Sequence, residues 1–252
     1  MPSISVKRAV QAFLRGQHIE LRKAPQVDWP ALPIFDLAVE RVMQLRGDAL
    51  RFIQVGANDG LFGDPLRKYV LTRGWRGILC EPQDDVFASL QRNYEAAADR
   101  LIFEKVAISR SSAPLTLYRA PDIDVSAGAE MPHALTVTSS SARVVSRQTG
   151  VAERDLVKIV TPAMTLDALV ERHGFGGFDV LQIDVEGFDF EVLGSLSLDR
   201  HRPAVIQFEH GHLKPRVLTE ASRFLTRHGY LLHYGGRSTD SVAMPQELFE
   251  TK

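Results

Sequence analysis

The chain has 252 residues, a formal net charge of -1, and 44% hydrophobic against 24% charged residues. That length suits one sizeable α/β domain with a short extension, and the composition excludes a disordered or fibrous protein. The near-neutral charge, with no basic stripe, argues against nucleic acid as the main partner. The one cysteine, Cys80, excludes an internal disulfide and hence a disulfide-stapled secreted scaffold.

The sequence has no segment typical of a membrane span or a secretory signal. No stretch approaches the roughly 18 consecutive apolar residues that a membrane helix needs. Lys7, Arg8 and Arg15 interrupt the N-terminal segment where a signal peptide would have an apolar core. We therefore predict a cytoplasmic protein.

The first 47 residues differ in pattern from the rest of the chain. Short helical patterns alternate there with Pro25, Pro30 and Pro33. Because proline ends or kinks helices, this pattern predicts an N-terminal helical cover over residues 1–47 and a main domain over residues 48–252.

From Arg51 onward a short apolar run, a polar or glycine-containing turn and a stretch with helical spacing follow one another repeatedly. This repetition predicts βαβ units, and hence an α/β fold with a mostly parallel sheet and helices on both faces. Seven strands are predicted, over residues 51–55, 77–80, 101–106, 178–183, 204–208, 230–234 and 241–244.

Capping residues support the helices between these strands. Asp64 and Pro65 are predicted to start a helix that Gly74 ends, and Thr165 to cap another that Gly174 ends.

Residues 121–154 break the alternation of strands and helices. They are rich in Ser, Ala, Asp and Thr. We predict an insertion or lid over a site, although a solvated loop has the same composition.

Polar side chains follow the ends of four predicted strands. They are Asn58 and Asp59, then Glu81, then Asp184 and Glu186, and finally Glu209 and His210. Because open parallel sheets bind ligands at the carboxyl ends of their strands, we expect these side chains to surround one site.

The turn at Gly56–Gly60 indicates which ligand this site takes. A dinucleotide fingerprint needs G-x-G-x-x-G, but here Asn58 stands at the second glycine and Leu61 at the last, which disfavours a phosphate cradle. Glu81 comes 25 positions after Gly56, where an acidic side chain accepts hydrogen bonds from ribose hydroxyls. A phosphate-free nucleoside cofactor such as S-adenosylmethionine (SAM) fits both features. Taken singly, the glycine turn is also explained as a tight connection between a strand and a helix, and Glu81 as a solvated carboxylate at a strand end.

Five segments together resemble the FkbM family of methyltransferases. They read FIQVGANDG (52–60), GILCEP (77–82), KVAIS (105–109), TLDAL (165–169) and QIDVEGFDFEVL (182–193). The resemblance covers about residues 51–234, and IDVEG is its most specific part. It implies a class I methyltransferase (Rossmann-like) fold, SAM as methyl donor, and O-methylation of sugar hydroxyls or polyketide-type products. In one departure, Gln182 stands where the family commonly has lysine.

The resemblance also implies which residues hold SAM. These are Gly56, Asn58, Gly60, Glu81 and Ala107. Asp59, Pro82 and Asp184, which adjoin these positions or end the fourth strand, complete the predicted cofactor site.

Two arrangements could take the proton of an acceptor hydroxyl. In one, His210 is a general base oriented by Glu186 or Glu209, with Asp184 close to the reacting groups. In the other, Asp184, Glu209 and His210 bind a divalent cation that holds the hydroxyl. Asp184 could instead cap the helix that follows it, and His212 is expected at the surface or behind the site.

The sequence thus predicts a SAM-dependent O-methyltransferase that acts on a hydroxyl of a sugar, glycolipid or glycosylated natural product. The alternatives are a carboxylate or peptide methyltransferase and a non-catalytic SAM-fold binding module; a nicotinamide dehydrogenase is disfavoured by its missing glycine. The expected partner is a small-molecule or glycolipid acceptor, and a homodimer is compatible with the sequence.

Overall fold

The computed structural model describes residues 33–121, 137–234 and 239–249. The chain divides into two compact units, Met1–Leu32 and Pro33–Lys252. All described residues belong to the second unit. Most of the predicted N-terminal cover, residues 1–32, therefore lies outside the described residues.

The helices of the described residues are α1 (Ile34–Arg46), α2 (Arg67–Arg73), α3 (Asp84–Asn93), α4 (Ala142–Thr149), α5 (Leu166–His173), α6 (Asp189–Leu193) and α7 (Pro215–Arg227). Short 3-10 helices cover Glu95–Arg100, Glu153–Asp155 and Gln246–Leu248. None of the helices in these ranges combines the length and the apolar character needed to cross a membrane.

The strands are β1 (Arg51–Val55), β2 (Arg76–Cys80), β3 (Leu101–Glu104), β4 (Ala107–Ile108), β5 (Leu115–Arg119), β6 (Thr138–Ser139), β7 (Val157–Thr161), β8 (Ala163–Met164), β9 (Val180–Ile183), β10 (Val205–Glu209), β11 (Tyr230–Tyr234) and β12 (Asp240–Pro245).

Seven strands form one central sheet in the order β3-β2-β1-β9-β10-β12-β11. Pairing is parallel throughout except for β12, which runs antiparallel to both β10 and β11. The predicted seven-stranded, mostly parallel sheet is confirmed. From β1 the chain moves outward to β2 and β3 and then crosses to β9, so strand order reverses between β1 and β9. Ligand sites of open α/β sheets form at such a reversal.

Apolar side chains cover both faces of this sheet. On one face Leu181 of β9 shares a core cluster with Leu169 of α5 and Leu225 of α7. On the other face Val180, its neighbour in β9, clusters with Val39 of α1. Burying each such aliphatic side chain contributes about 1.5–3 kcal/mol, so the helices are held to the sheet from both sides.

Of the two predicted N-caps, Thr165 caps its helix and Asp64 does not, because the helix after Asp64 begins later than predicted. Thr165 Oγ1 accepts a hydrogen bond from the Ala168 N–H at 3.0 Å, at the start of α5. Asp64 Oδ1 accepts from the N–H groups of Leu66 and Arg67 at 2.8 and 3.2 Å, but regular helix begins only at Arg67. Asp64 therefore organises the turn that leads into α2.

Two smaller sheets lie between β3 and α5 in the chain. One pairs β4 with β8 in parallel, and the other is antiparallel in the order β6-β5-β7. Of the predicted insertion at 121–154, residues 122–136 lie outside the described residues. The rest supplies β6 and α4, which lead to the site described next.

Candidate active site

A cleft opens beyond the carboxyl ends of β1, β2 and β9, at the reversal of strand order. Six of the eight predicted cofactor residues line it: Gly56, Asn58, Glu81, Pro82, Ala107 and Asp184. Glu186 lines it as well, and so do Val137 and Thr138 from the described part of the insertion.

Gly56 marks the closest approach between two of these strands. Its φ is 77°, and a Cβ there would lie 1.8 Å from the carbonyl oxygen of Asp184. Its N–H donates to the carbonyl of Cys80 at 3.0 Å. Only glycine fits where the end of β1 packs against the backbone that follows β9, and this packing closes the wall of the cleft.

Glu81 presents a buried carboxylate to the cleft. It is 4% exposed, and it accepts hydrogen bonds from the N–H groups of Asn58 at 3.2 Å and Gln83 at 3.0 Å. Burial raises its pKa to about 7, although both hydrogen bonds favour the charged form. A carboxylate oxygen can accept more than one hydrogen bond, so Glu81 can still receive ligand hydroxyls.

The two remaining predicted cofactor residues, Asp59 and Gly60, shape the turn instead of lining the cleft. Asp59 Oδ1 accepts from the N–H groups of Leu61 and Phe62, both at 2.9 Å. Gly60 backs onto α3, where a Cβ would lie 2.6 Å from Tyr94 and 2.7 Å from Leu90. The chain changes direction between Asn58 and Gly60, so only the part of the turn up to Asn58 faces the cleft.

Two glutamines of the cleft wall are not among the residues predicted from the sequence. Gln54 of β1 and Gln182 of β9 are paired in register, are 2% and 4% exposed, and line the cleft. The Oε1 atom of each lacks a hydrogen-bond partner among the described residues. Because both stand inside apolar strand runs, nothing in their spacing indicated a cleft; Gln182 was noted only as a departure from the family.

Asp184 and Glu186 follow β9 on the opposite wall. The backbone N–H of Asp184 donates to Val55 at 3.0 Å, and its side chain is open to the cleft. Desolvation, with the nearby charges of Glu186 and Asp240, raises the pKa of Asp184 to about 7. Asp184 does not cap the next helix, because α6 starts at Asp189 without a side-chain cap.

His210 was expected beside Glu186 or Glu209, but it is His212 that lies there. His210 Nδ1 lies 2.9 Å from Ser241 Oγ, and its ring packs edge-on against Tyr234 with centroids 5.8 Å apart. His212 Nε2 instead lies 3.3 Å from Glu186 Oε2 and 3.6 Å from Glu209 Oε1.

The reason for this difference is the tight turn after β10, in which the N–H of Leu213 donates to the carbonyl of His210 at 3.0 Å. The fold brings Glu186, Glu209 and His212 together. Of the predicted metal ligands Asp184, Glu209 and His210, only Glu209 belongs to this group.

Sheet order, crossover and cleft position together define the class I methyltransferase fold, as predicted. Residues 54–232 match the family described as Methyltransferase FkbM domain. The chain therefore belongs to the FkbM methyltransferase family.

Several solved structures are similar to this chain. Methyltransferase FkbM from Methylobacillus flagellatus KT shares 16% identity with a TM-score of 0.48, over 78% of this chain and only 44% of that one. The O-methyltransferase from Bacillus cereus in complex with SAH shares 14% identity with a TM-score of 0.43, over 97% and 91% of the two chains. The N-terminal domain of human METTL16 shares 17% identity with a TM-score of 0.44, over 96% and 84%. Comparison with curated proteins gives no match.

Proposed function

We propose that this protein is a SAM-dependent O-methyltransferase that methylates a hydroxyl of a sugar, glycolipid or glycosylated natural product. The observation that carries the proposal is one cleft with two different walls. One wall is the turn that begins at Gly56, beside the buried Glu81, and the other holds the carboxylates of Asp184 and Glu186. The first wall suits a nucleoside donor, and the second suits an acceptor that must lose a proton.

The donor wall has the chemistry that SAM requires. The missing Cβ at Gly56 lets the ends of β1 and β9 meet at the cleft, and Glu81, which lines the cleft, can accept hydrogen bonds from ribose hydroxyls. The unpartnered Oε1 atoms of Gln54 and Gln182 are further acceptors for ligand N–H or O–H groups. Membership of the FkbM family supports the same donor.

The acceptor wall supplies a base. When bound, SAM provides an activated methyl group, whose transfer breaks its bond to sulfur, forms a bond to the acceptor oxygen and leaves S-adenosylhomocysteine. Asp184 is open to the cleft and has a pKa of about 7, so at neutral pH its carboxylate can take the hydroxyl proton. The Asp184 N–H is bonded to the carbonyl of Val55 in the neighbouring strand, so the backbone that carries this carboxylate is held in place at the cleft.

The same wall favours a neutral acceptor over a carboxylate acceptor. Asp184 and Glu186 line the cleft. Glu209 lies close to Glu186, with His212 near both carboxylates. An anionic substrate would meet the negative charge of this acidic wall, most strongly above the pKa of about 7 of Asp184, and this disfavours its binding. A sugar hydroxyl meets hydrogen-bond acceptors instead.

Titration of the purified chain with SAM and S-adenosylhomocysteine tests the donor assignment. We expect both to bind and NAD and ATP not to bind. Glu81→Gln should weaken SAM binding about tenfold or more, because it replaces a charged acceptor by an amide. Glu95→Gln, at an exposed position, is the matched control and should bind SAM normally.

Release of S-adenosylhomocysteine with a panel of glycosides then tests the acceptor class. Binding of NAD or ATP but not SAM would reject the donor assignment. SAM binding with transfer only to carboxylates or peptides, or with no transfer at all, would favour the alternative methyltransferase or the non-catalytic module.

A further inference from the structure

We propose that Glu186, Glu209 and His212 form a binding site for a divalent transition-metal ion on the acceptor side of the cleft. The three residues come from the turn after β9 and from the end of β10 with the turn that follows it. Metal binding is independent of the proposed function; only the role given to the ion below rests on it.

The three side chains already surround a common point. One ligand atom from each lies within 4.8 Å of the others, with His212 Nε2 3.3 Å from Glu186 and 3.6 Å from Glu209. Metal bonds to nitrogen and oxygen are about 2.0–2.2 Å, which sets ligand atoms around one ion roughly 3–4 Å apart. Small side-chain rotations would therefore complete the coordination.

The carboxylate of Glu209 gives an independent reason to expect a cation. Glu209 is 9% exposed, and its Oε2 has no hydrogen-bond partner among the described residues. In that part of the chain, His212 is the only cationic group paired with Glu186 or Glu209. An unpartnered buried carboxylate oxygen is costly, and a divalent ion bound through both oxygens of Glu209 would satisfy it.

Asp189 holds the two ligand-bearing segments together. It is fully buried, and its two carboxylate oxygens accept from the backbone N–H of Glu209 at 3.0 Å and of Gly187 at 3.2 Å. The backbones that carry Glu186 and Glu209 are thus tied to one side chain. Metal sites are commonly supported by such outer hydrogen bonds, and Asp189 is a positioning residue here.

Gln148 of α4 brings the insertion to the same point. Its Nε2 lies 2.8 Å from His212 Nε2 and also contacts the Glu186 carboxylate, while its Oε1 has no partner among the described residues. Rotation of the amide by half a turn would present Oε1 as a fourth ligand.

The donor set favours particular metals. One imidazole with two carboxylates suits Mn²⁺, Fe²⁺, Co²⁺ or Zn²⁺ better than Mg²⁺ or Ca²⁺, which prefer oxygen ligands alone. Because Glu186 also lines the cleft, the ion would be within reach of an acceptor hydroxyl and would lower its pKa.

Manganese binding to the chelator-treated and desalted full chain tests the site. We expect one Mn²⁺ per chain by calorimetry and by loss of the free-ion signal in electron paramagnetic resonance. His212→Ala and Glu209→Gln should each weaken binding at least tenfold, and Asp189→Asn should weaken it less. His233→Ala, at an exposed histidine of β11, is the matched control and should bind as the wild type does.

SAM binding and thermal unfolding of each variant serve as checks of folding, and His212→Gln preserves side-chain volume if the alanine variant does not fold. A wild-type chain that binds SAM but not Mn²⁺, or a His212 variant that binds Mn²⁺ as tightly as the wild type, would overturn the metal site and leave the proposed function intact. Metal binding without SAM binding would overturn the proposed function alone.

Discussion

Asp184 and His210 differ in their surroundings, and this difference separates them as candidate bases. The Asp184 side chain is open to the cleft, with a pKa of about 7. His210 does not line the cleft, and its Nδ1 faces Ser241. A base works best when its pKa is near the working pH and its atoms reach the substrate proton. On both counts we favour Asp184.

Asp184→Asn should therefore lower kcat/KM about a hundredfold, because the amide cannot accept the hydroxyl proton. In the wild type, kcat/KM should rise as pH increases through about 7, where the carboxylate loses its proton, and that rise should vanish in the variant. Release of S-adenosylhomocysteine at pH 5.5–9 measures both effects. His210→Asn should stay within a few fold of the wild type; a larger loss there than in Asp184→Asn would make His210 the base.

Helix α1 lies in the segment predicted as a cover, but in the structure it is part of the core. The prolines before residue 34 suggested a cover that ends at 47, yet Phe35, Val39 and Met43 of α1 are buried in the core cluster that includes Val180 of β9. This helix is therefore part of the compact unit that begins at Pro33.

A pair of alanine substitutions in α1 distinguishes a core helix from a cover. Met43 is 4% exposed and Leu45 is 50% exposed, so both lose similar volume from opposite environments. Met43→Ala should lower the free energy of unfolding by about 2–4 kcal/mol through cavity formation, whereas Leu45→Ala should change it by less than about 1 kcal/mol. Urea denaturation measures both. Equal small losses would mean that α1 only covers the domain.

Elements defined by continuous apolar runs could be predicted from sequence, and turns could not. The predicted strand 51–55 coincides with β1, a central strand in which four of the five residues are buried. The predicted strand 230–234 coincides with β11, an edge strand that is largely exposed. In contrast, His210 and His212 are two residues apart, and only the turn after β10 decides which meets Glu209. Local composition carries no information on that direction.

At the scale of the whole molecule, the net charge of -1 does not reveal that several buried acidic groups lie in and beside the cleft. Burial raises the pKa of Asp64, Glu81, Asp189 and Glu209 above their ordinary values. The folded protein therefore retains protons that the unfolded chain would release. A cation or a hydrogen-bond donor that binds these groups in the folded state alone would add stability by mass action.

This retention of protons predicts the direction in which stability depends on pH. The pKa is about 7 for Glu81 and about 8 for Glu209, against 4.5 for either group ordinarily. Their contribution is complete below about 4.5 and is lost as pH rises to about 8, since the unfolded state releases these protons first. The free energy of unfolding should thus fall over this range, by up to about 1.4 kcal/mol per pH unit for each group.

Urea denaturation at pH 5, 6, 7 and 8 measures this slope, and Glu81→Gln should make it shallower because the amide does not titrate. The lowered pKa of Glu247 acts in the opposite direction only below its ordinary 4.5, outside this range. Excess Mn²⁺ should flatten the slope further, since an ion bound at Glu209 replaces the proton there. Stability that is constant or rises from pH 5 to 8 would mean that these carboxylates are already charged in the folded protein.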